Sequence, residues 1–112
     1  MIITLCGSTK FKEEYEKTAK ELALAGHTVL SVNMFGHADN IEFTPEEKIM
    51  LDNEHKQKIS LSDAIYVINK DQYIGESTFS EIDWAQRLGK QVFFLEELPK
   101  QEEVEENNEP QS

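Results

Sequence analysis

Apolar residues gather in four short blocks, separated by longer stretches in which polar and apolar positions mix. Residues 1–6, MIITLC, are apolar apart from Thr4 and rich in β-formers, and Gly7-Ser8 interrupt them. Such a run reads as a buried strand followed by a tight turn. From about Lys10 to Ala25 the period changes, with Phe11, Tyr15, Thr18 or Ala19, and Leu22 on one face and Lys12, Glu13, Glu16, Lys17 and Lys20 on the other. That spacing predicts an amphipathic helix stopped by Gly26. Residues 27–32, HTVLSV, give a second strand and complete a strand–helix–strand unit.

Residues 33–43 show no sustained period and are punctuated by Asn33, Gly36, Asp39 and Asn40. This loop is long for its place, as lids and binding segments often are. Within it Phe35 has two readings, packing into a satellite core or stacking on a flat ligand. Thr44-Pro45-Glu46-Glu47 supplies a helix start, with threonine as cap, proline first and glutamate third. This helix is expected to reach about Ser60, with Asp52, His55 and Ile59 on one face. The apolar run 64–68 is the third strand, Ser77–Leu88 the third helix with Gly89 as its stop, and 91–95 the fourth strand. The order βαβαβαβ predicts a flavodoxin-like, Rossmann-like α/β sandwich of three layers, with a small parallel sheet in the order 2-1-3-4.

With 112 residues there is room for one domain, placed at 1–96. The 22 acidic and 11 basic side chains are unevenly spread: residues 96–112 hold seven glutamates and one lysine, leaving a net charge of −5 on the preceding 95. Residues 97–112 therefore read as an acidic, disordered tail. The charge argues against nucleic acid as a partner. No apolar run approaches the ~18 residues of a membrane span, so a cytoplasmic protein is expected, without membrane association. The single cysteine, Cys6, excludes an internal disulfide and reads as a core thiol rather than a nucleophile. His27, His37 and His55 lack metal-ligand spacing, and the chain contains neither a Walker motif nor GxGxxG, so neither a metal nor another cofactor is expected.

The remaining chemistry centres on KDQYIGESTFSEIDWAQRLG, residues 70–89, which leaves the carboxyl end of the third strand and enters a helix. In open α/β sheets such loops hold ligands. Glu81 stands here among Gly75, Ser77 and Thr78, across from Gly7, Ser8 and Lys10 on the first loop. A carboxylate so placed can attack an anomeric carbon. Spacing allows a structural reading as well, since Thr78 and Glu81 stand as an N-cap and its N3 partner in a capping box.

These residues resemble the nucleoside 2-deoxyribosyltransferase superfamily, including its 2′-deoxynucleoside 5′-monophosphate N-glycosidase branch. The resemblance is carried by Cys6-Gly7-Ser8, Asp63-Ala64 ahead of the third strand, the Gly75–Ser80 loop, Glu81, Ala85 and Gly89-Lys90, over roughly residues 1–95. It implies cleavage or transfer of an N-glycosidic bond on a deoxynucleoside or its monophosphate, with Glu81 as nucleophile. Lys10 falls where the monophosphate branch has an arginine. The family's aspartate on the second helix is matched by His55, with Asp52 one turn earlier. The serine six residues ahead of the glutamate is replaced by Gly75. The resemblance further implies a homodimer or larger homo-oligomer, which Trp84 and Phe79 beside the core stripe also suggest. A non-catalytic nucleotide sensor, a protein-interaction module and cleavage of a dinucleotide cofactor are the alternatives on this fold.

Overall fold

The computed structural model describes residues 1–98, so most of the acidic tail lies outside the described residues. Four parallel strands, β1 (Ile2–Gly7), β2 (Thr28–Leu30), β3 (Ala64–Ile68) and β4 (Gln91–Phe94), form one sheet in the order β2-β1-β3-β4. Between them run α1 (Lys12–Leu24), α2 (Pro45–Leu61) and α3 (Glu76–Arg87). The predicted fold and strand order are observed. No helix among the described residues is long and apolar enough to cross a membrane.

Alternation along each strand divides the core. Cys6, Ile65 and Val67 point to one side, where Ile59 of α2 and Ala85 of α3 meet them, with Val92 and Phe94 packed alongside. Leu5 and Ile68 point to the other side and pack with Phe11, Tyr15, Ala19 and Leu22 of the α1 segment. Two helices thus cover one face and a single helix covers the other.

The helix starts differ in their chemistry. Thr44 and Glu47 make the reciprocal capping box predicted for α2, with the Thr44 hydroxyl accepting from Glu47 N and the Glu47 carboxylate from Thr44 N. At α3 the expectation fails. Gly75 is the N-cap, no side chain caps the helix, and Thr78 lies inside it and is buried. The face formed by Thr78, Glu81, Ile82 and Ala85 turns inward at helical spacing, so burial of that stripe sets where the helix begins and local capping preference does not. Trp84 also departs from expectation. It packs against the core, and its indole N–H donates to Lys56 O at 3.2 Å, so it is not free surface.

Candidate functional site

The carboxyl ends of β1 and β3 lie side by side, with Cys6 opposite Val67 and Gly7 opposite Ile68. The chain leaves β1 through Gly7, whose φ of +142° brings its Cα side within reach of the Ile68 backbone. Tyr15 Oη donates to Gly7 O at 2.7 Å and fixes the turn from the α1 side. Beyond β3, Asn69 is fully buried and exchanges hydrogen bonds with Glu96, its amide donating to Glu96 O at 3.0 Å and its oxygen accepting from Glu96 N at 2.8 Å. These anchors hold two loop exits apart around a cavity of about 860 Å³. That volume suits a small organic ligand.

Gly7, Ser8, Asp52, His55, Gly75, Ser77, Thr78 and Glu81 all line this cavity, so the fold gathers most of the candidates named from sequence. Two lie elsewhere. Phe35 packs edge-on against Tyr15, ring centroids 5.3 Å apart, within the α1-side core. The aromatic rings in the cavity wall are instead Phe43 and Tyr73. Lys10 is exposed, with its ammonium 3.8 Å from the Tyr73 ring centroid, and belongs to a separate shallow depression beside α1. Residues that sequence reasoning passed over include Thr9, whose hydroxyl accepts from His37 N at 3.1 Å and ties the long loop to the first turn. Among the described residues Lys48 is the sole lysine in the wall, against the carboxylates of Glu42, Asp52, Glu54, Glu76 and Glu81.

At the inner end of the cavity three side chains from three elements converge. Cys6 Sγ, a ring nitrogen of His55 and a carboxylate oxygen of Glu81 lie within 4.8 Å of one another. His55 Nε2 is 3.0 Å from Leu5 O and 3.7 Å from Cys6 Sγ. A carbonyl only accepts, so Nε2 carries a proton and donates to Leu5 O. Burial lowers the His55 pKa and the nearby Lys58 charge adds to this, while the Leu5 bond and the Glu54 and Asp52 charges oppose it. The ring thus ties α2 to β1, and burial favours its neutral form.

Glu81 is half-buried as a residue, with its carboxyl end in the buried cluster. Burial pushes its pKa up to about 7, the adjacent Cys6 thiol opposes the rise, Asp52 adds to it and Lys56 opposes it. Burial, followed by the neighbouring Glu81 charge, drives the Cys6 thiol well above its usual range. Cysteine, histidine and glutamate are ligand types that zinc accepts. Here the imidazole nitrogen facing the sulfur donates to Leu5 O and so offers no lone pair to a cation in this arrangement. Chemically, the arrangement offers a carboxylate that ionises near neutrality at the edge of a ligand-sized cavity.

No family model matches the chain, and no curated protein matches its sequence. Among solved structures, the chain is similar to 2-deoxyribosyltransferase from the psychrotolerant bacterium Bacillus psychrosaccharolyticus. The two superpose with a TM-score of 0.66 at 22% identity, covering 88% of this chain and 77% of the other. The chain therefore has the fold of a 2-deoxyribosyltransferase, in agreement with the resemblance carried by its glycine turn, its serine-containing loop and Glu81.

Proposed function

We propose that the protein cleaves or transfers the N-glycosidic bond of a 2′-deoxynucleoside, with Glu81 as the nucleophile. One observation carries this reading: Glu81 lines the cavity at the strand ends and its carboxyl is not consumed as a helix cap. The ionised carboxylate attacks C1′, the C1′–N bond breaks and its electron pair leaves with the base, and an ester remains for water or a second base to resolve. Asp52, exposed one turn before His55 and in the same wall, is placed to meet the departing base. His55 is committed to Leu5 O and serves to hold the site together.

The wall also bears on the phosphate. Five carboxylates against one lysine disfavour a dianionic 5′-monophosphate, and Lys10 lies outside the wall. Gly7, Ser8 and Thr9 remain available to a sugar hydroxyl. An uncharged deoxynucleoside is the better match, ahead of its monophosphate.

Glu81→Gln keeps the shape of the side chain and removes the anion. The variant is expected to fold, to retain nucleoside binding by calorimetry, and to lose at least ~100-fold in turnover, about 3 kcal/mol of transition-state stabilisation. Wild-type turnover should rise through about pH 7 and then level, because the nucleophile must be ionised. A folded Gln variant with near-wild-type turnover would refute the mechanism. Binding of deoxynucleosides without turnover by the wild type would favour a sensor.

A further inference from the structure

Cys6 is fully buried, close to the proposed nucleophile, and has no part in the bond-breaking described above. Its surroundings define where its proton goes. Leu5 O takes the proton of His55 Nε2, so that nitrogen has no lone pair to accept from the thiol. At 3.7 Å it can only face the sulfur as a weak donor. The remaining acceptor in the cluster is the Glu81 carboxylate. The sulfur thus sits between an imidazole whose proton is committed to Leu5 O and a carboxylate within 4.8 Å that can accept from it, and a link made in so buried a place is strengthened by its surroundings.

We propose that Cys6 is a positioning residue for Glu81, its thiol donating the hydrogen bond that holds the carboxylate in its attacking orientation. This rests on the reading of Glu81 as nucleophile. The register supports it: Cys6 is the last side chain of β1 to point toward α2 and α3 before the Gly7 turn, and Ala85, one helical turn beyond Glu81, packs against the same core. A serine would give a stronger donor on a shorter bond, whereas alanine gives none. The other charged or titratable groups around Glu81 are Asp52, Lys56 and His55 from α2, with Tyr15 on the far side of the sheet. None of them is altered chemically by the Cys6 substitutions, so a moved midpoint reports the group at position 6.

The test is a carbon-13 NMR titration of the Glu81 side-chain carboxyl in the full chain, run on wild type, Cys6→Ala and Cys6→Ser. The Ala variant loses a donor to the ionised form, so its midpoint should move to higher pH by about 0.5–1 unit, the equivalent of one ordinary hydrogen bond. The Ser variant, with the stronger donor, should titrate below the wild-type midpoint. In deoxynucleoside turnover the acid limb should move in the same sense, kcat falling in Cys6→Ala with KM little changed and recovering in Cys6→Ser. Identical midpoints in all three proteins would make Cys6 a core filler and overturn the proposal. If Cys6→Ala does not fold, the Ser variant decides alone, an unmoved midpoint overturning the proposal and a lowered one supporting it. Midpoints that move as expected in a protein without turnover would sustain the hydrogen bond and defeat the catalytic reading.

Discussion

Glu81 couples stability to pH as well as to chemistry. Its carboxyl loses a proton near the ordinary value of 4.5 in the unfolded chain and at about 7 in the fold. Between these values the folded protein binds more protons than the unfolded chain, so this group lowers stability progressively as pH rises from about 4.5 to about 7, and the loss then levels. The full difference is on the order of 3 kcal/mol. Glu81→Gln removes the buried charge. The variant should therefore melt well above wild type at pH 8, and close to it at pH 5, where wild-type Glu81 is already neutral. Equal differences at both pH values, measured by calorimetry, would mean that the carboxyl is not held in a desolvated place. The same residue also marks where local reading reached its limit. Thr78 and Glu81 have the spacing of a capping box, and only the burial of Thr78 shows that the helix starts earlier.

Among the elements, β1 and its exit turn set the site. Gly7 and Gly26 both have positive φ, but they differ in the space around them. A Cβ on Gly7 would meet Ile68 O at 2.7 Å and Ile68 Cβ at 3.0 Å, whereas one on Gly26 meets nothing within 4 Å. Gly26→Ala thus carries only the conformational penalty of the left-handed region, roughly 1 kcal/mol. Gly7→Ala carries that penalty and also forces β1 away from β3, at a further 1–3 kcal/mol or about that. Denaturant midpoints of the two variants should differ in that order, and equal losses would show that β1 and β3 are not in close approach at Gly7. Separation there also shifts Cys6 relative to Glu81, so Gly7→Ala should impair turnover in the protein that still folds.

At the scale of the whole molecule, the sheet is covered unequally and the paired helices keep apolar side chains in solvent. Ile49 and Met50 on α2 are 61% and 69% exposed, and Phe79 on α3 is 65% exposed. Trp84, expected from sequence to join this surface, is turned inward. Large apolar side chains left in water on neighbouring helices favour self-association. The chain is predicted to sediment at micromolar concentration as a dimer or larger assembly of 12.9 kDa subunits. Replacing both Met50 and Phe79 by glutamate should shift it to the monomer. A wild-type mass of one chain, unchanged by nucleoside, would contradict this.

The fold class, the strand order and the placement of the candidate loops at one sheet edge were legible in the sequence. Continuous apolar runs, a 3.6-residue period and glycine stops are local signals, and parallel connectivity leaves few ways to arrange four strands. The capping box of α2 was legible for the same reason, being complete within four residues. What only the tertiary structure decided were relations between residues far apart in the chain. Cys6 reads as an ordinary core thiol until β1 pairs with β3 and α3 is laid across them, and the thiol then meets a carboxyl 75 residues later. Phe35 and Lys10 have the right chemistry for a ligand, yet Tyr15 and Tyr73 take them up. His55 has the composition of an acid catalyst, and burial beside Leu5 O makes it an anchor. In each case the residue type sets which bonds are available, and the non-local packing sets which partner receives them.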